Sequence, residues 1–239
     1  MLKQTVNVSN VGALYAAVND SANANKIISL YPGTYVLTGP VVLQPGMDLV
    51  GQNTYVDYDA DKVWDPVDVG SDPENFVVSG LTKLDASTAV ITSARGIVEC
   101  GYNNSIKGLT VAGGQTGTSA SVFLAAILAT PNPAVVDGIE VKVSDCVIEH
   151  GSRGIVCQHT ASHSGKKSSA IITRNIIRHF RGAVNFFNLT TGVRIFGFAV
   201  QVRHDGTPAG ALTDAEWIVD IAENRIYNNN GGLFLLGFS

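Results

Sequence analysis

"SDCVIEHGSRGIVCQ" (144–158), "TRNIIRHFRGAVNFF" (173–187) and "AENRIYNNNGGLFLLGFS" (222–239) state one pattern three times. Aligning them puts Leu109, Cys146, Asn175 and Asn224 in one column, with Val111, Ile148, Ile177 and Ile226 two places later. Alternation with a period of two is the mark of a strand, and self-similarity along a chain is the mark of a solenoid. Each unit reads strand, turn, strand, turn. The second strand follows a glycine (Gly154, Gly182, Gly231) as "IVCQ", "AVNFF" and "LFLLGF". Cys146 to Asn175 is 29 residues and Asn175 to Asn224 is 49, so "FAVQVRHDGTPAGALTDAEW" reads as a loop inserted between coils. Asn tolerates left-handed backbone angles, and stacked Asn side chains can bond neighbouring coils, so Asn175 and Asn224 are expected to point inward with Cys146 continuing their column.

The remaining chain extends the pattern. "VSNVGALYAAVNDSANANK" opens with Ser9 and Asn10 as candidate N-caps and places Val11, Leu14, Tyr15 and Val18 on one face of a short helix that can close a solenoid end. Strands punctuated by Pro32–Gly33 and Pro45–Gly46 follow. The 239 residues, 45% hydrophobic and 15% charged with 25 glycines, fit a single all-β domain of short strands over 1–239 rather than solvated helices or disorder. No apolar run is long enough to span a bilayer, at roughly 18 to 20 residues. Cys100, Cys146 and Cys157 lack metal-ligand spacing and read as buried small hydrophobes. "GGLFLLGFS" begins a coil without a polar cap after it, which predicts a truncated chain or a homo-oligomer joined through the open last coil.

The order helix, "IISLYPGTYVL" (27–37), "VVLQPGMDLVGQ" (41–52) and "IKGLTV" (106–111) resembles the right-handed parallel β-helix proteins of the pectin-lyase-like superfamily. The resemblance implies an all-β, right-handed parallel β-helix of about five to six coils with an N-terminal capping helix, and a secreted or cell-surface protein that meets polysaccharide. The paired aspartates, Gly-His-Gly and Arg-Ile-Lys of polygalacturonases are absent, as are the typical phrases of pectate lyases. "DPVD" at 65–68 is similar to the Asp-Pro-His-Asp of alginate epimerases, but Val67 stands in the histidine position, so no role passes to Asp65 or Asp68.

Charge is unevenly spread beneath a net of −4. Residues 147–203 hold one acid, Glu149, against Arg153, Lys166, Lys167, Arg174, Arg178, Arg181, Arg194 and Arg203. Adjacent coils lie about 4.8 Å apart, so His150 is expected to stack on His179, with Arg153 near Arg181. These form one candidate rim. The "HTASHSGKK" loop, with His159, His163, Lys166 and Lys167, forms the other, and outward Phe186 and Phe234 floor the groove for sugar rings. Basic side chains would attract a uronate polymer and lower the pKa of its α-proton, with His150 or His179 as the base of a β-elimination. Two other readings stay open: a non-catalytic carbohydrate-binding or adhesin module, and a structural scaffold. Asp57, Asp59, Asp61 and Asp68 match calcium-loop positions, but Lys62 replaces the turn glycine, and no other cofactor is expected. The negative net charge and the lack of a nucleic-acid motif argue against nucleic acid.

Overall fold

Short alternating strands need partners for their backbone groups, and here each finds them in the coil before and the coil after. The computed structural model describes residues 2–55, 78–79, 81–89, 91, 95–113, 125–160, 163, 165–180, 198–205, 215–227, 229 and 231–236. Three parallel sheets run the length of the stack. The first contains, in order, β1 (Thr5–Val8), β2 (Ile27–Leu30), β5 (Asp48–Val50), β10 (Asn104–Lys107), β13 (Glu140–Ser144), β16 (Lys167–Thr173) and β19 (Glu216–Ala222). The second contains β3 (Gly33–Val36), β8 (Thr82–Asp85), β11 (Thr110–Ala112), β14 (Val147–Gly151), β17 (Ile176–Phe180) and β20 (Arg225–Tyr227). The third contains β4 (Val41–Leu43), β9 (Gly96–Cys100), β12 (Ala125–Ala129), β15 (Arg153–Thr160), β18 (Phe198–Asp205) and β21 (Gly231–Leu236). One strand from each sheet makes a coil, so the 6-stranded sheets define six coils of a parallel β-helix, with β1 adding an edge strand to the first sheet. A two-stranded antiparallel ladder, β6 (Thr54–Tyr55) with β7 (Val78–Ser79), branches from the second coil.

Inward side chains stack in rows along the axis. Ile28, Leu49, Ile106, Val143, Ile172 and Ile221 form one row, and Tyr35, Leu84, Val111, Ile148, Ile177 and Ile226 another. The third is Val41, Val98, Ile127, Ile155, Val200 and Leu233. Burying such a side chain contributes about 1.5–3 kcal/mol, so these rows are the main source of stability. Cys100, Cys146 and Cys157 are buried free thiols in this core, and burial pushes the Cys146 and Cys157 thiols up to about 12. They behave as the small hydrophobes expected.

Between the first and second sheets the chain bends through Gly108, Asp145, Arg174 and Glu223, at φ 63°, 55°, 54° and 58°. The next residue carries the ladder. Asn175 accepts the Cys146 amide at 3.0 Å and donates to the Val143 carbonyl and to Asn224 Oδ1, both at 2.9 Å. Asn224 in turn accepts the Asn175 amide and donates to the Ile172 and Ala222 carbonyls. The inward Asn column is therefore present, and Asn175 is fully buried.

Helix α1 (Val11–Asn19) covers the first coil with Leu14, Ala17 and Val18. Asn10 is its cap, accepting the Ala13 amide at 2.9 Å, and the Tyr15 hydroxyl ties it to the Gly39 carbonyl at 2.7 Å. At the last coil the inward Ile226 and Leu233 are exposed. No helix among the described residues is long and apolar enough to cross a membrane.

One expectation is corrected. The third-sheet strand of the fifth coil is β18, with Ile155 opposite Val200 and Cys157 opposite Val202, so residues 198–205 are a rung rather than a loop. "Ala-Val-Gln-Val-Arg" alternates as well as any strand here; the glycine alignment favoured Gly182, whereas Ala199 is the residue opposite Gly154. "AVNFF" lies outside the described residues.

Candidate functional site

The outer face of the third sheet carries the open groove. Strand alternation sends Val42, Glu99, Leu128, Val156 and Gln201 outward in one row. At the far end of this row Val156 and Gln201 are buried although they lie outside the core cluster. Over Val42 and Leu128 the face opens into a cavity of about 400 Å³, within the size range of small-molecule sites. Val42 and Leu128 form an apolar floor, and Asn132, Gln158 and Thr160 bring polar groups to its side.

The cavity also holds an ion pair. Arg95 Nε and Nη2 donate to Glu99 Oε1 and Oε2 at 2.5 and 2.8 Å, and the Gly96 amide also donates to Oε1 at 3.0 Å. The Glu99 hydrogen bonds raise the Arg95 pKa further, so the guanidinium stays charged. A bidentate pair of this kind is a fixed, oriented polar surface rather than a free charge.

The corner where coils pass from the third sheet to the first supports one wall. Asn132 receives its position from the Gly101 carbonyl, to which its amide donates at 2.7 Å, and its side chain accepts the Ala134 amide at 2.9 Å. Gly138, at φ 94°, lets the next stretch pass so close to β16 that a Cβ would overlap the Lys167 carbonyl. Lys166 reaches back from the following coil and donates to the Pro133 carbonyl at 3.3 Å and to the Val135 carbonyl. His163 Nδ1 accepts the Thr160 amide at 2.9 Å, which puts the neutral ring's proton on Nε2. Burial and the Lys166 charge lower the His163 pKa, against the Pro131 carbonyl, which sits near the ring and favours its charge without meeting hydrogen-bond geometry at Nε2.

The residues marked out in the sequence divide accordingly. His159, His163 and Lys166 are buried in this corner, with His159 bonded to Ser168 Oγ at 3.0 Å and stacked on Trp217 at 5.0 Å. Their loop thus supports the groove from beneath, and Thr160 is its contribution to the lining. Lys167 is exposed and pairs with Glu216 at 3.4 Å. His150 and His179 do stack, with centroids 4.8 Å apart and planes 8° from parallel, and both occupy left-handed turn positions, at φ 57° and 62°. They stand at the opposite end of β15, at the corner from the second sheet to the third. Arg153 begins β15 and is buried, in register with Ala125 and Phe198. Arg181, Phe186 and the calcium-loop aspartates Asp57, Asp59, Asp61 and Asp68 lie outside the described residues. Phe234 is opposite Gln201 in β21, and its side chain is not described.

Much of the basic excess is offset once the coils stack. Arg174 bonds Asp145 at 2.7 Å, Arg178 bonds Glu149 at 2.8 Å, and Lys167 meets Glu216. Two of those acids, Asp145 and Glu216, come from outside the 147–203 window that looked basic. Arg95, Glu99, Tyr102 and Asn132 escaped the sequence reading. Their signal was the equivalence of "GIVEC", "AAILA" and "RGIVC", which places Glu99 and Leu128 side by side on the outer face. Comparisons with protein-family models, with curated proteins and with solved structures find no match to this chain.

Proposed function

We propose that the protein binds a glycan on the outer face of its third sheet and does so without chemistry. The observation that supports this most is the open groove, where an apolar floor of Val42 and Leu128 lies beside the fixed Arg95–Glu99 pair and the polar Gln158 and Thr160. A sugar ring has the matching character, with apolar C–H faces and a rim of hydroxyls that can both donate and accept. Because Arg95 is already held by Glu99, hydrogen bonding and apolar contact outweigh free charge in this reading.

Uronate β-elimination is the second reading, and the stacked His150–His179 pair is the observation in its favour. It requires a cation aimed at the substrate carboxylate beside the base. Near this pair Arg178 is engaged by Glu149 and by the Tyr227 hydroxyl at 3.0 Å, which leaves it poorly placed for that task.

Isothermal titration with neutral and uronate oligosaccharides tests the first reading, and absorbance of unsaturated products tests the second. Binding without a rise in absorbance is expected. Gln158→Ala should weaken binding by about 3- to 10-fold, the worth of one hydrogen bond. Leu128→Arg, which fills the groove, should abolish it while leaving the circular dichroism of the sheet unchanged. Undiminished affinity in both variants would place the ligand elsewhere.

A further inference from the structure

A second depression, of about 180 Å³, lies beyond the groove, and Tyr102 stands in the walls of both. Its apolar surface comes from Pro45, Val135 and Ile139, and its polar edge from Asn25 and Asn103. Pro45 lies between β4 and β5, Tyr102 and Asn103 between β9 and β10, and Val135 and Ile139 between β12 and β13. All are at the corner from the third sheet to the first. The two hollows therefore follow the path of the coils around the sheet edge, across the axis of the stack.

We infer that the ligand is an oligosaccharide of at least two units that turns this corner, with one unit in the groove, the next in the second depression and Tyr102 as the platform between them. This rests on the glycan reading and specifies its ligand. The backbone at Tyr102 is held beforehand: its amide donates to Asn104 Oδ1 at 3.1 Å, and buried Asn104 donates to the Gln44 and Met47 carbonyls, each at 2.9 Å. The Asn103 amide is likewise oriented, its Oδ1 accepting the Glu140 amide at 2.7 Å. Fixing these groups in advance lowers the ordering cost of binding. A tyrosine ring suits the junction because it offers an apolar face and a polar tip to two successive sugars. A single sugar would fill one hollow and leave the other, with its oriented amide, unused.

The test is titration of the full chain with cello-, xylo- and galacturono-oligosaccharides of one to three units, repeated with Tyr102→Ala and Tyr102→Phe. In the series that binds, the disaccharide should bind about tenfold or more tighter than the monosaccharide. Tyr102→Ala should weaken the disaccharide by a clearly larger factor than the monosaccharide and so erase most of that increment, and Tyr102→Phe, which keeps the ring face, should retain most of it. Equal affinity for one and two units, or an equal loss for both in Tyr102→Ala, overturns the inference and leaves a one-sugar site. Failure of every series to bind overturns the glycan reading and this inference with it.

Discussion

Asn175→Leu is expected to destabilise the protein by about 3–5 kcal/mol, measured as a lower midpoint in urea. Leucine is close in volume and would keep the inward position filled. It cannot accept the Cys146 amide or donate to the Val143 carbonyl, and both bonds are buried between coils. Stranding each costs about 1–3 kcal/mol, while the gain in apolar burial offsets only part of the sum. The same substitution at Asn224 should cost less, because that residue is only half-buried in the last coil. Equal midpoints for wild type and Asn175→Leu would mean that the ladder does not hold the coils together.

Lys166→Met should have the second largest effect, about 2–4 kcal/mol, through loss of the charge-assisted bonds to the Pro133 and Val135 carbonyls. It also carries a pH signature through His163. The unfolded ring takes up its proton near pH ~6.5, whereas the folded ring, held down by burial and by Lys166, does so only at lower pH. Between those two points the unfolded state binds more protons, so stability falls as pH drops from about 6.5 and is unaffected by this group above it. His159 faces the same ring at 5.7 Å, and its bond to Ser168 adds no opposite charge. Removing the Lys166 charge should therefore lower the midpoint at pH 7.5 and make the decline below pH 6.5 shallower. Urea titrations of both proteins at pH 7.5 and 5.5 give the comparison, and an unchanged slope in Lys166→Met would exclude the coupling.

The fold was legible because a solenoid repeats its instructions. Ile148, Ile177 and Ile226 fall in one column when the sequence is simply laid over itself, and the coils stack in that register. The Asn ladder and the His150–His179 stack followed from the same alignment, since both depend only on which residue lies one coil away. The site was less legible for a physical reason. In a β-helix the neighbours of a charged residue are in the next coil, so Arg174 meets an acid 29 residues earlier, and a count along a window of sequence overstates free charge. Alternation along β15 turns His159 inward with Ile155 and Cys157, but past the end of the strand, where the chain bends, the rule gives no orientation: His163 turned in, and Lys166 found carbonyls instead of solvent. The groove itself is assembled from Val42, Glu99, Leu128 and Gln158, drawn from four successive coils and unremarkable singly.

A crystal structure of the chain with the tightest-binding oligosaccharide from the three series tests the glycan site most directly. Sugar is expected over Val42 and Leu128, between the Arg95–Glu99 pair and Gln158, continuing past Tyr102 into the depression beside Asn103. Ordered sugar at the His150–His179 corner, with the third-sheet groove empty at saturating ligand, would contradict it.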